Sequence, residues 1–324
     1  SADGGALSCC RPMHAGPSYV PHAALTALIA IWAVSFVVAK VAMVEITPFA
    51  LVASRFLVGA LCILPFFVRT TTAQRRAALG PGVLAGLVLA VPYFLQMYGV
   101  RETTASMGGF VTGLIVVLVA LGGRVFFGAR FGVPSVVGLA FGAAGSAGLC
   151  APGADDPSGV QVSPVRGIVL QVGAAIGFAA HILLLSHFGR SLSVAAFTFW
   201  QLAFTGALAT AGALGVSGIS ADGGAVAWDV GLLLAIAYLG VLATGVAIGV
   251  QTRVQHRIPP THVALLFALQ PLFAAIAGWL LQGDRLGPLQ WIGGALIVAG
   301  VVVTAYDRPG VRAPAGAGRG VPLA

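Results

Sequence analysis

The stretch from Pro259 to Tyr306 constrains the fold most. Two apolar runs, 259–281 and 288–306, flank one short polar break, Gln282-Gly283-Asp284-Arg285. A bilayer core of ~30 Å is crossed by about 20 apolar residues in an α-helix, so the stretch reads as a hairpin that crosses a membrane twice. Gly283 and Gly287 punctuate its turn. Pro288 suits the first turn of the second helix, where a missing N–H costs nothing.

An earlier stretch echoes the hairpin at a shift of 155 residues. Gly283 falls on Gly128, Arg285 on Arg130, Gly287 on Gly132, Gly293 on Gly138 and Gly300 on Gly145. Upstream, Gly278 falls on Gly123 and Gln251 on Gln96. The shared Gly-x-Arg turn, with glycines following at the same spacing, points to two related halves.

Composition agrees with a membrane class. Of 324 residues, 58% are hydrophobic and 8% charged, where soluble chains carry about 25% charge. The length therefore reads as one polytopic domain rather than two soluble ones. The net charge of +8 comes from arginines scattered singly between apolar runs. That pattern orients spans in a lipid bilayer and argues against a nucleic-acid partner.

Ten apolar runs are expected as spans, at 22–44, 48–68, 81–100, 104–127, 133–151, 167–187, 193–215, 228–250, 259–281 and 288–306. The domain plan is a disordered N-terminal tail 1–21, a first five-helix repeat 22–151, a periplasmic connection 152–166, a second repeat 167–306 and a mobile C-terminal tail 307–324. Alternate connections differ in basic charge, twelve Arg on one side against Lys40, Arg101, Arg166 and Arg285 on the other. By the positive-inside bias both termini are cytoplasmic, which an even number of spans permits. Five spans per half then invert the second repeat relative to the first. Trp228, Trp279 and Trp291 fall at the outer interface.

Residues 23–39 could be a signal-peptide core, but Trp32 and Ser35 interrupt the run and Lys40 follows, so the span is expected to be retained. Met13 is the expected start of translation. Cys9, Cys10, Cys62 and Cys150 show neither metal-ligand spacing nor a disulfide framework. Sixteen Arg to one Lys, with abundant Ala, Gly and Val, suggest a GC-rich bacterial genome and hence the inner membrane.

Three stretches together resemble a known family. The first is Trp32-Ala33-Val34-Ser35-Phe36 to Lys40, then Ile46-Thr47-Pro48 and Ser54-Arg55-Phe56. The second runs from Leu95-Gln96 through Thr103-Thr104-Ala105-Ser106 to Gly109-Phe110-Val111-Thr112-Gly113-Leu114. The third is the Pro259–Tyr306 hairpin. Over nearly all of 22–306 the chain resembles the EamA-like branch of the drug/metabolite transporter superfamily. The resemblance implies ten helices as two inverted five-helix repeats, with spans 1–4 and 6–9 lining a cavity and spans 5 and 10 outside it. It also implies export of small metabolites by alternating access, commonly against a proton gradient. Two departures stand out: Gln270-Pro271, where many relatives carry Glu before the proline, and Ala120, where some have proline.

An ionisable group deep in a span costs about 2.5–3.5 kcal/mol on insertion scales, so each one needs a reason. Lys40 either snorkels or pairs with Glu45, or it attracts an anionic substrate group. Arg55 either satisfies helix carbonyls or offers its planar fork to a substrate carboxylate. His181 is either a neutral hydrogen-bonded core histidine or a proton carrier, and it is the best titratable candidate once Gln270 stands for the usual acid. Gln96 and Gln270, on cavity-lining spans, are candidate substrate contacts, with Trp32 a candidate wall. Gln201 and Gln251 read as interhelical glue. Pro92 and Pro271 free carbonyls one turn back and are candidate hinges. The small-residue stripes of span 5 (Gly138, Gly142, Gly145) and span 10 (Gly293, Gly300) serve packing within a monomer or a homodimer.

The chain has no His-Glu-x-x-His pair, and Gly283-Asp284 lacks the preceding Gly-x of an aspartyl membrane protease. Ser146 has no Gly two residues before it. An intramembrane enzyme is thus the runner-up, together with a non-transporting receptor or scaffold. The expectation is a bacterial inner-membrane secondary transporter of an amino acid or drug-like solute, an exporter, needing no cofactor and no metal.

Overall fold

The computed structural model describes residues 19–102, 114–116, 118–119, 121–123, 125, 132–149, 164–189, 191–221, 223, 225–258, 260–282 and 287–305. Among the described residues the protein is all-helical, and six helices are long and apolar enough to cross a membrane. Shorter apolar helices complete the bundle. The helices are α1 (Val20–Ala42), α2 (Pro48–Phe67), α3 (Thr72–Glu102), α4 (Leu114–Gly123), α5 (Val133–Leu149) and α6 (Pro164–Phe188). There follow α7 (Val194–Gly212), α8 (Val230–Val254), α9 (Pro260–Phe267), α10 (Leu269–Gln282) and α11 (Pro288–Ala305).

Local chemistry sets the helix ends. Thr47 caps α2 by accepting from Ala50 N at 3.3 Å, and Pro48 occupies the first turn. Asp229 caps α8 by accepting from Leu232 N at 2.7 Å. The run expected at 81–100 is longer as a helix, because α3 begins at Thr72 and passes Pro81 and Pro92 unbroken. The run expected at 259–281 is instead divided at Ala268 into α9 and α10. Pro271 accounts for this: it has no N–H for the carbonyl of Phe267, four residues back.

In α8 the stretch Tyr238–Val246 is π-helical, and α7 ends in a π-helical turn over Ala213–Ser217. The wider turn of Tyr238–Val246 lies against α2. A Cβ on Gly59 would stand 2.9 Å from Thr244 Cγ2 and 3.1 Å from Gly245 N, so only glycine permits this approach.

The packing repeats itself under exchange of α1 with α6, α2 with α7 and α3 with α8. The pair α2/α8 has its counterpart in α7/α3, and α3/α6 in α8/α1. The glycine contacts repeat likewise. A Cβ on Gly145 would collide with the Gly293 carbonyl, and a Cβ on Gly300 would lie 2.6 Å from the Gly138 carbonyl. A shift of 155 residues converts the first contact into the second. These glycine faces join α5 to α11 within one chain, so a homodimer through them would have to use their other sides.

The two ends of the bundle are tied differently. At the Ala42 end, Ile46 forms an antiparallel bridge with Ser220. Thr47 N donates to Ile219 O at 2.9 Å, and Thr47 Oγ1 to Gly218 O at 2.8 Å. At the Phe67 end, Phe67 stacks on Phe199 with centroids 4.0 Å apart. There Trp200 Nε1 donates to Arg75 O at 3.2 Å. Trp228, Trp279 and Trp291 are exposed on the apolar surface. The turn around Asp284 and Arg285, the 103–113 motif, Ala120 and both tails lie outside the described residues.

Candidate functional site

A cavity, part of it open to the outside, lies at mid-height among the helices, with about 60 Å³ of room for the centres of water-sized molecules. Of the residues singled out from sequence, Trp32, Arg55, Gln96, His181 and Gln270 line it together. They come from five different helices and lie far apart in sequence. Gln251, the echo of Gln96, also lines it. Lys40 does not: it lies one turn beyond Phe36 on α1, half-buried. Pro92 sits behind the wall, its ring filling the space that a Cβ on Gly177 would take. Pro271 follows Gln270 at the α9–α10 break, and Phe267 and Gln270 on either side of that break both face the cavity. The lining draws on α1, α2, α3, α4, α6, α8, α9 and α10; α7, implied by the family resemblance as a lining span, contributes no lining residue among the described ones.

Arg55 is the one cation on the described wall and is 2% exposed. Its Nε donates to Thr244 Oγ1 at 2.9 Å, and Nη2 reaches Ala243 O at 3.4 Å. Its guanidinium lies 4.9 Å from the Tyr93 ring centroid. Trp32 Nε1 donates to the same Ala243 carbonyl at 2.8 Å. Both anchors lie in the π-helical stretch of α8, where widened turns present backbone and side-chain acceptors sideways. Among the described residues no carboxylate pairs with Arg55; the one ion pair joins Arg166 to Glu102 at 3.4 Å.

The hydrogen-bond chain behind His181 fixes one of its ring hydrogens. Thr252 Oγ1 donates to Ile248 O at 2.7 Å, so toward Gln201 it accepts. Gln201 Nε2 donates to it at 3.3 Å, which turns Gln201 Oε1 toward His181. The 2.9 Å contact of His181 Nε2 with that oxygen therefore places a hydrogen on Nε2. Gln201 is fully buried on α7, so α7 serves the cavity from behind. Below it, Gln251 Nε2 donates to Gln255 Oε1 at 2.7 Å, and Gln255 Nε2 donates to Ile182 O at 2.5 Å. Tyr93, read from sequence as a core or interface aromatic, lines the cavity, whereas Thr244 and Gln255 were missed by sequence reasoning. An apolar run with a neutral polar residue gives no sign of which neighbour it serves.

The EamA-like transporter family model matches residues 22–150 and again 165–306. An uncharacterized transporter of Archaeoglobus fulgidus is 26% identical over 282 residues, covering 86% of this chain and 83% of the relative. A protein of Escherichia coli named "probable amino-acid metabolite efflux pump" is 25% identical over 290 residues, covering 86% and 92%. A crystal structure of a further protein superposes with TM-score 0.67 at 19% identity, over 87% of this chain and 96% of that one, which is a likeness of fold.

Proposed function

The chain belongs to the EamA-like transporter family, and on that premise we propose that it exports small organic metabolites by alternating access. It is a multi-pass membrane transporter, not an enzyme. The solute is an amino acid or drug-like compound, in keeping with the printed name of the Escherichia coli relative. The observation that carries this proposal is the mid-height cavity, where Arg55 is buried beside Gln96 and Gln270 with no acid partner among the described residues. A buried cation facing a cavity is costly unless a ligand of opposite charge visits it.

In the proposed arrangement, ten spans form two inverted five-helix repeats with both termini in the cytoplasm of a bacterial inner membrane. The reciprocal contacts of Gly145 with Gly293 and of Gly300 with Gly138 support the repeat relation. Arg55 holds an anionic group, and Gln96, Gln270 and Trp32 form the adjoining walls. Lys40 acts as an approach charge one turn outside. His181 is the proton carrier, with Gln201 behind it. Pro271 marks the hinge at the broken helix, a usual place for transporter sites. Pro92 packs against α6 and hinges less.

Uptake of a labelled amino-acid panel into inside-out vesicles, with and without an imposed pH gradient, tests the proposal. Accumulation that collapses with the gradient supports proton-coupled export, and His181→Gln should then uncouple it. Accumulation indifferent to the gradient removes the proton and His181 from the mechanism.

A further inference from the structure

Resting on the transport function proposed above, we infer that α9 is a gate on the side of the cavity where α1 begins, and that the pair His22–His262 is its proton-sensitive latch. His22 Nε2 on α1 faces His262 Nδ1 on α9 at 3.4 Å. The ring centroids are 5.7 Å apart, which exceeds the nitrogen separation by no more than two ring radii, so the nitrogens meet head-on. Such a line holds one hydrogen: one ring donates and the other accepts.

The pair ties the two helices that meet at the cavity. Trp32 on α1 and Phe267 on α9 stack at 5.8 Å, and both line it. His22 lies ten residues before Trp32 and His262 five before Phe267, about 15 and 8 Å along their helices toward the end where α1 begins. Between stack and pair the seam is apolar, with Leu25, Ile29, Val263 and Leu266 buried. The histidine contact is thus a polar tie beneath an apolar seam.

The backbone lets α9 move as a unit. It has eight residues. It is preceded by Ile258 in extended conformation, ψ 134°, and followed by a turn in which Ala268 N donates to Leu265 O at 3.1 Å. Neither joint carries a continuous helical ladder onward.

Protonation acts on the line between the rings. A first added proton leaves N–H···N intact and strengthens it by charge. A second sets N–H against N–H and two positive charges together, which opens the contact whatever the other ring nitrogens meet. The described elements packed against the pair offer no carboxylate to offset this. The near end of α8 and the turn after it carry Arg253, His256 and Arg257, the rest of α1 adds only Lys40 at its far end, and α5, α10 and α11 carry no titratable side chain. Acidification therefore releases α9 from α1 and opens the seam below the cavity.

The test is hydrogen–deuterium exchange of the α9 amides in purified full-length protein in nanodiscs, read as protection relative to the intrinsic rate at each pH. At about pH 8, α9 is expected to be protected in the wild type and at least tenfold less so in His22→Leu, with α2 and α7 unchanged. Moving the wild type to about pH 5 should lower its α9 protection at least tenfold, because imidazole changes charge between these values. His22→Gln, whose amide reaches the Nε2 position and does not titrate, should keep α9 protected at both. Equal α9 protection in wild type and His22→Leu overturns the inference. So does wild-type protection that ignores pH, or His22→Gln losing protection with acid as the wild type does. Should His22→Leu fail to fold, wild type and His22→Gln across the two pH values decide. Failure here while inside-out vesicles still accumulate a solute removes the latch and leaves the transport function standing. The expected exchange pattern with vesicles that accumulate nothing removes the transport function and leaves the latch.

Discussion

Arg55 and His181 stand out in the sequence because each interrupts an apolar run where an ionisable group is costly. Which partner each of them takes does not. Thr244 lies 189 residues from Arg55, and Gln201 sits on a helix whose own residues miss the cavity lining. Lys40 shows the converse: a charge near a span end need not reach the cavity, because its long stem can carry it toward the interface. Replacing Thr244 with Val removes the acceptor of Arg55 Nε inside a buried site. The loss of one buried partner predicts a destabilisation of about 1–3 kcal/mol, visible in unfolding in detergent, with Thr244→Ser largely restoring it. Val at Thr244 melting like the wild type would show that the Nε bond does not hold Arg55. Gln201→Leu should have a comparable cost, because it strips the partner from His181 Nε2 and leaves Thr252 without its donor.

Helix identity was legible for the six apolar runs that the described residues show as helices long enough to cross a membrane, and helix interruptions only where proline announces them. Pro271 pointed to the break at Ala268, whereas the π-helical stretch Tyr238–Val246 left no pattern, since it depends on close packing of Gly240 and Gly245 against α2. Pro92 warns against reading every proline as a hinge, for α3 runs through it and its ring fills a notch at Gly177. Pro271→Ala restores the N–H that Phe267 O lacks and favours one continuous helix. The expected result is a protein at least as stable in thermal melts whose transport rate falls several-fold. Unchanged transport would remove Pro271 from the mechanism. Gly145→Leu drives a side chain into the Gly293 carbonyl and should separate α5 from α11, read as a large drop in melting temperature and loss of folded protein after extraction.

At the scale of the molecule, the 155-residue echo, read as two related halves, matches the reciprocal glycine contacts of α5 with α11, whereas Gln251, read from sequence as interhelical glue, lines the cavity with its echo Gln96. It could not foretell the tie between Ile46 and Ser220, which uses backbone groups of two connections and no distinctive side chains. Reporter fusions at the two ends of the chain should both be active only as cytoplasmic fusions if the number of spans is even. Opposite locations would require an odd number and break the inverted-repeat arrangement. The central claim, that solute crosses through the Arg55 cavity, is tested most directly by flux in proteoliposomes containing purified wild-type or Arg55→Ala protein, with folding of both checked by thermal melt. The account predicts solute flux for the wild type and a loss of at least 100-fold for a folded Arg55→Ala protein. Wild-type flux in that variant would contradict it.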